Sequence, residues 1–364
     1  MLSGSIPASE RSAAALHEER MQRCLQLASL GMGYTAPNPL VGALLVHEGR
    51  IIGEGYHEQF GGPHAEVNCI RSVKETDLAL ISSSTLYVSL EPCAHHGKTP
   101  PCADLIIQQR IPRVVVACRD PFPEVDGRGM EKLEKNNVEL IFPVLEEKAV
   151  GLNKRFFIFH RRRRPYIVLK WAESINHKIA GEPGQRIQIS NEYSNRLVHK
   201  WRTEEAGILV GSQTALLDDP MLSARLWPGK NPVRIVLDRS LRLPETLKIF
   251  DRSAPTVILN EEKEGRSGDL IYKKIDSGKA LIPEILSALY SLNILSILVE
   301  GGATLLQSFI DSGLWDEARV ITNRQMEIAE GLSAPGLLNV IPVRSEQYFS
   351  DRIAYLKNGR AGLV

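Results

Sequence analysis

Between residues 18 and 31 the apolar positions recur at helical spacing. Met21, Cys24, Leu25, Ala28 and Leu30 fall near one face, and Gly31 and Gly33 end the pattern. Two apolar runs follow, Leu40–His47 and Arg50–Gly55, and the Glu48-Gly49 pair between them predicts a β-hairpin. The pattern then predicts helices at His64–Val73, Cys102–Arg110 and Glu131–Asn136, and strands at Thr85–Leu90, Arg113–Cys118 and Val138–Val144. Strands alternating with helices in this way build a sheet covered by helices, an α/β domain.

A helical stretch, Glu146–Phe159, leads into Arg161–Arg164 and Pro165. Four consecutive arginines before a proline read as a solvated linker, with phosphate binding as the sharper alternative. Beyond Pro165 the pattern restarts, with strands Tyr166–Trp171, Gly207–Val210, Val233–Asp238, Thr256–Leu259 and Ser296–Val299. Helices are predicted at Glu192–Arg202, Ile282–Leu292 and Ala303–Ser312. The sequence thus predicts two α/β domains, residues 18–148 and 165–364, joined by a helical, Arg-rich linker at 149–164. It contains no internal repeat and no low-complexity tract.

Composition narrows the class. The 364 residues are 43% hydrophobic and 24% charged, the balance of a folded globular chain of about two domains. Basic residues number 44 and acidic residues 43, so the basic excess expected of a nucleic-acid or membrane-surface protein is missing. Five cysteines, an odd and sparse count, point to reduced thiols in a cytoplasmic protein. No apolar run has the 18 or so residues of a membrane helix. Near the start, Ala13–Leu16 is too short for a signal-peptide core, and Met1–Arg20 reads as a frayed extension or short helix. These features imply a two-domain enzyme or binding protein with no nucleic acid and no membrane partner, and leave a homo-oligomer open.

The chemistry-bearing pattern is His64-Ala65-Glu66, then Glu91-Pro92-Cys93, then Cys102. One imidazole and two thiolates make a tetrahedral zinc set with the fourth position left for water. Glu66, two residues beyond the histidine, is placed to receive the water proton and return it to a leaving amine. His-x-Glu with a later Pro-Cys…Cys is the signature of zinc nucleobase and nucleoside deaminases. One departure stands out: eight residues separate the cysteines where that signature has two. They include His95, His96 and Lys98, which suit an anionic group such as a phosphate beside the metal. Cys24, Cys69 and Cys118 read as buried core residues.

Beyond this signature the chain resembles the bifunctional riboflavin-biosynthesis deaminase/reductase family. The resemblance rests on Pro37-Asn38-Pro39-Leu40-Val41-Gly42, Gly53-Glu54-Gly55-Tyr56-His57, His64-Ala65-Glu66, and the run from Glu91 through Cys102. Asp120-Pro121-Phe122-Pro123 and Gly127-Arg128-Gly129 extend it. It implies a cytidine-deaminase-like α/β/α domain followed by a dihydrofolate-reductase-like α/β domain. The deaminase would hydrolyse the 2-amino group of 2,5-diamino-6-(5-phosphoribosylamino)pyrimidin-4-one, and the reductase would use NADPH to convert ribosyl to ribityl. By position, His64, Cys93 and Cys102 would bind zinc and Glu66 would move protons. Asn38 and His57 would hold the base or ribose, and His95 and Lys98 would face the phosphate. The two prolines around Asn38 predict a stiff, extended backbone there.

In the second half the resemblance runs through Arg164–Lys170, Ser190–Arg202, Gly207–Thr214, Asp218–Ser223, Pro232–Asp238 and Val299–Leu305. It implies a substrate site of Lys170, Arg202, Asp219, Leu222, Arg225 and Glu300, and a cofactor site of Ser190, Gly211, Ser212, Thr214, Gly301 and Gly302. Glycines between a strand and a helix let backbone N–H groups approach a pyrophosphate. The family pattern is broken at Asn176, His177 and Gln188, and at Asn323-Arg324-Gln325-Met326. These breaks motivate an alternative, an active deaminase whose second domain binds without reducing. A polynucleotide-editing deaminase is a third reading, disfavoured by the net charge of +1 and 6% aromatic content.

Overall fold

Contacts divide the chain into two units between Arg161 and Arg162. The computed structural model describes residues 12–94, 100–122, 125–182 and 187–360. The first unit opens with α1 (Ala13–Ser29), capped by the Ser12 hydroxyl, which accepts from Ala15 N at 3.2 Å. Met21, Cys24, Leu25, Leu27 and Ala28 are buried, whereas Leu30, expected on that face, follows the helix and is exposed. The predicted hairpin forms from β1 (Gly42–His47) and β2 (Arg50–Tyr56). Glu48 and Gly49 both take positive φ, 45° and 85°, the turn whose twist matches paired strands.

The remaining elements are α2 (Ala65–Arg71), β3 (Thr85–Val88), α3 (Cys102–Gln108), β4 (Arg113–Val116), α4 (Arg128–Lys135) and β5 (Glu139–Ile141). The sheet order is β2-β1-β3-β4-β5, antiparallel through β3 and parallel from there to β5. Ala43, Leu45, Leu86, Val88, Val114 and Val116 supply the sheet's share of a core that includes Ala65, Cys69, Ile106 and Leu133 from the helices. The stretch from Lys74 to Ser84 was not anticipated; it winds into 3₁₀ turns over Glu75–Ser83.

The expected linker at 149–164 is packed structure. It forms most of α5 (Glu146–Leu152) and α6 (Lys154–Arg162). Asn153 between them donates to Leu40 O and accepts from Leu40 N, both at 2.8 Å, and His160 lies among the rings of Phe122, Phe156 and Phe159. Arg164, the last of the arginine run, is buried rather than solvated. Its fork grips Asp316 through two bonds of 2.7 Å.

The second unit is built on a ten-stranded sheet. Its parallel centre runs β12 (Leu270–Lys274), β10 (Thr256–Asn260), β9 (Val233–Leu237), β8 (Gly207–Gly211), β13 (Ser296–Val299), β6 (Tyr166–Ser174) and β14 (Glu317–Asn323). Antiparallel strands close both sides: β11 (Gly265–Ser267) beside β12, and the hairpin β17 (Asp351–Asn358) and β16 (Val340–Tyr348) beside β14. A short pair, β7 (Lys178–Ala180) and β15 (Leu332–Ser333), stands apart. The helices are α7 (Glu192–Glu204), α8 (Ser212–Asp218), α9 (Leu281–Ser291) and α10 (Ala303–Ser312). Central strands such as Ser296–Val299 are buried throughout, as expected of a parallel sheet covered on both faces.

Candidate metal centre and carboxylate–cation site

The three predicted ligands meet at two helix N-termini. His64 is the N-cap of α2 but makes no side-chain cap, which leaves its ring free to turn toward the thiols. Cys102 is the first residue of α3, after Pro101, and Cys93 lies beyond β3. His64 Nδ1 is 3.6 Å from Cys93 Sγ and 3.3 Å from Cys102 Sγ, and all three donor atoms lie within 4.8 Å of one another. Zn–S bonds of about 2.3 Å and Zn–N bonds of about 2.1 Å at tetrahedral angles give S···N edges of about 3.6 Å. The donor set therefore fits zinc in both chemistry and spacing.

The surroundings favour a thiolate. Cys102 N donates to Cys93 Sγ at 3.3 Å, bringing the positive end of α3 to the sulfur. The Cys93–Cys102 pair gives up its first proton readily. The Cys102 thiol, outweighing burial, and then His64 hold the Cys93 thiolate down at about 4. Glu66, in the first turn of α2, is buried with its carboxyl against Cys102, and burial raises its pKa. Cys24, Cys69 and Cys118 are buried free thiols whose pKa values burial pushes up.

Asn38 and His57 do come together, though on a different backbone from the one expected. Asn38 N donates to Thr35 O at 2.8 Å, closing a turn where an extended segment was predicted. The buried His57 spends both ring nitrogens inside the protein, Nδ1 on Pro63 O at 2.9 Å and Nε2 on Asn38 Nδ2 at 3.1 Å. With Nδ1–H donating to the carbonyl, Nε2 is an acceptor, and the Asn38 amide is oriented with Oδ1 left over. His95 and Lys98 lie outside the described residues.

In the second unit three predicted residues converge. Glu300, just past β13, accepts from Arg202 Nε at 2.7 Å and Nη2 at 2.8 Å, and Lys170 Nζ on β6 is 3.7 Å away. Burial raises the Glu300 pKa, but Arg202 and Lys170 outweigh it and hold the carboxyl at about 2. Arg202 also donates to Ser223 O at 2.9 Å, so its fork is committed within the protein. Leu222 is buried in the core and takes φ 53°, and Arg225 is exposed. Asp219 pairs with Lys248 at 3.0 Å, apart from the Glu300 cluster.

Gly211 caps α8 and Gly302 caps α10, at the C-terminal ends of the neighbouring strands β8 and β13. Gly302 takes φ 68°, and Thr214 Oγ1 is the nearest group to the space a Cβ would fill there. Gly301 packs directly on Val210, so it also serves strand–turn packing. Ser190 spends its hydroxyl on Asn195 at 2.9 Å. The sequence reading missed His199, one turn before Arg202 on α7. It is buried, and its Nδ1 has no hydrogen-bond partner among the described residues. Burial, then the charges of Arg202 and Arg225, push it down to about 4. Its three-residue spacing from Arg202 was the available signal.

The departures from the family pattern are accommodated locally. Asn176 Oδ1 accepts from Ser174 Oγ at 2.6 Å and Ile328 N at 3.2 Å, while Nδ2 donates to Ile328 O at 2.8 Å, a bond an aspartate cannot make. His177 takes positive φ, 57°, and its ring bonds the buried Glu173 at 2.8 Å.

A histidine, two cysteines and a buried glutamate gathered where two helices begin define a zinc-dependent deaminase of the cytidine-deaminase type, here joined to a second α/β unit. Residues 14–118 match the family model of the cytidine and deoxycytidylate deaminase zinc-binding region, and residues 165–323 match that of the RibD C-terminal domain. Riboflavin biosynthesis protein RibD of Aquifex aeolicus is 41% identical over 319 residues, 86% of this chain and 88% of that protein. RibD of Escherichia coli is 35% identical over 322 residues, 82% of this chain and 85% of that protein. The crystal structure of the Thermotoga maritima diaminohydroxyphosphoribosylaminopyrimidine deaminase/5-amino-6-(5-phosphoribosylamino)uracil reductase matches with a TM-score of 0.85 and 35% identity. That match covers 95% of this chain and 100% of the other. Acinetobacter baumannii RibD matches with a TM-score of 0.86 and 30% identity, over 94% and 99% of the two chains. The chain belongs to the RibD family of riboflavin biosynthesis proteins. It carries both a zinc-dependent deaminase domain and a reductase domain of the NADPH-dependent RibD type, on the two-domain α/β fold expected from the sequence.

Proposed function

We propose that the first unit releases the 2-amino group of 2,5-diamino-6-(5-phosphoribosylamino)pyrimidin-4-one as ammonia, and that the second reduces the ribosyl group of the product to ribityl. The observation that carries this reading is the His64–Cys93–Cys102 set with Glu66 buried against it. Zinc held by those three side chains supplies the Lewis acidity that makes water a nucleophile near neutral pH. Glu66 accepts the proton released by the attacking water and delivers it to the departing amine. Burial supports that role, because a raised pKa suits a group that must both take and give a proton. Asn38 hydrogen-bonds the base, with His57 fixing which way its amide faces. His95 and Lys98 are assigned to the phosphate on the chemistry of their imidazole and ammonium groups.

In the second unit, NADPH supplies the hydride. Gly211, Ser212, Thr214, Gly301 and Gly302 cradle it where helices α8 and α10 begin, with Ser190 at the edge of that site. Lys170 and Arg225 take the ribose phosphate, Arg202 braces Glu300 against the sugar, and Asp219 and Leu222 shape the loop that leads to Arg225.

The test is a coupled assay on zinc-loaded protein, given the diaminopyrimidinone phosphoriboside with and without NADPH. Ammonia release with substrate-dependent NADPH oxidation is expected. Glu66→Gln should lose both, and supplying the deaminated compound should restore NADPH oxidation alone. Ammonia without NADPH oxidation would overturn the reductase half, and no ammonia would overturn the assigned substrate.

A further inference from the structure

Glu91 sits two residues before Cys93, is 4% exposed, and has no part in the chemistry above. Its carboxylate is nonetheless a focus of backbone donors. Oε1 accepts from Gly129 N at 3.0 Å and Met130 N at 3.4 Å, and Oε2 from Gly127 N at 3.0 Å and Asp120 N at 3.3 Å. Gly127 caps α4 and Gly129 and Met130 lie in its first turn, so the carboxylate draws that helix start onto the Glu91-Pro92 dipeptide. The fit is close: a Cβ on Gly129 would overlap the Pro92 carbonyl oxygen.

Pro92 has no N–H with which to tie the turn down. Glu91 N donates to Cys118 O at 3.0 Å, which fixes the strand end but not the turn beyond it. Downstream, Cys93 O accepts from Ala103 N at 3.1 Å and Cys93 Sγ from Cys102 N at 3.3 Å. Cys93 is thus held on one side by α3 and on the other by the carboxylate clamp. The geometry points to Glu91 as a positioning residue that fixes the Cys93 turn, and through it the thiolate, for the metal. The inference rests on the deaminase reading above and adds a residue to it.

The experiment measures zinc affinity by competition with a chromophoric chelator, alongside the visible spectrum of the Co²⁺-loaded protein. Three variants are compared with the wild type: Glu91→Gln, Gly129→Ala and, as a charge-matched control, the exposed Glu131→Gln. Gln at position 91 turns an NH₂ toward backbone donors, and Ala at position 129 pushes α4 off the turn while keeping the carboxylate. Both should weaken zinc binding 10–100-fold, the range for residues that orient metal ligands. Both should alter the cobalt–thiolate bands, with far-UV circular dichroism and NADPH oxidation of the deaminated compound unchanged. Glu131→Gln should match the wild type. Zinc affinity within threefold of wild type in both variants would overturn the inference. Where Glu91→Gln yields no folded protein, Gly129→Ala decides alone. A wild-type chain that binds no zinc would remove the deaminase reading itself, a result separable from any difference among the variants.

Discussion

Replacing Glu300 with Gln should destabilise the second unit, by an amount that depends on pH. The carboxylate lies 2.7 and 2.8 Å from Arg202 nitrogens and 3.7 Å from Lys170 Nζ, and the side chains of all three residues are no more than 13% exposed. Its pKa stands at about 2 against an ordinary 4.5, burial pulling up and the two cations pulling down harder. A difference of ~2.5 units at ~1.4 kcal/mol each is worth about 3.5 kcal/mol. That agrees with the ~3–5 kcal/mol cost of stripping one partner from a buried ion pair. Because the folded pKa is depressed, the stabilisation is complete above pH ~4.5 and is lost as the pH falls toward ~2. All four tryptophans, Trp171, Trp201, Trp227 and Trp315, lie in the second unit, so urea unfolding followed by fluorescence reports on that unit alone. The variant should be about 3 kcal/mol less stable than wild type at pH 7, and the gap should close between pH 4.5 and 2.5. A loss below about 1 kcal/mol at pH 7, or a gap that does not change with pH, would refute the electrostatic account.

Asp316→Asn should cost the second unit about 3–5 kcal/mol in the same fluorescence assay, because Arg164 would lose its buried partner. Arg163→Lys, exposed one residue away, should stay within about 0.5 kcal/mol, and equal effects would show that the arginine run acts as a whole. In the first unit, burial above all lifts Asp120 to about 7, so the folded chain keeps a proton that the unfolded chain sheds near pH 4. Stability therefore falls as the pH rises from about 4 to 7, by up to about 4 kcal/mol. Asp120→Asn, which keeps an acceptor for Phe122 N, should remove that loss in chelator-treated protein. Urea unfolding followed by circular dichroism should find the variant more stable at pH 8 and equal to wild type near pH 4, and no gain at pH 8 would contradict this.

How much of this was legible in the sequence follows from how local each signal is. The hairpin at Glu48-Gly49 and the helix and strand at 303–312 and 296–299 were read closely because a turn pair or a bounded apolar run carries its own geometry. The three candidate ligands and Glu66 were readable because their residue types and spacing narrow the chemistry. The C-terminal hairpin β16–β17 was not seen. Strand β16 is largely exposed, so it lacks the apolar alternation that marks a half-buried strand, and its place depends on pairing with β17. Arg164 looked like solvated charge because its partner, Asp316, lies 152 positions along the chain. Asn153 escaped notice for a similar reason, its two bonds reaching back 113 positions to Leu40. The clamp on Glu91 could not be read at all, since its donors are backbone N–H groups that any sequence possesses.

Glu66 and Glu300 show how one side-chain type is set for different work by its surroundings. Glu66 has burial as its largest influence and a thiol beside it, so its pKa moves upward, toward the range where a carboxyl can trade protons near neutral pH. Glu300, whose side chain is 9% exposed, is nearly as well buried, yet two cations reverse the direction and keep it ionised throughout the physiological range. A carboxylate held at about 2 is a poor proton carrier near pH 7. What it does in this structure is electrostatic and geometric: it holds Arg202 and Lys170 and remains an acceptor. Any proton required during reduction must come from another group. His199 is a poor source, since at about 4 its ring is neutral near pH 7.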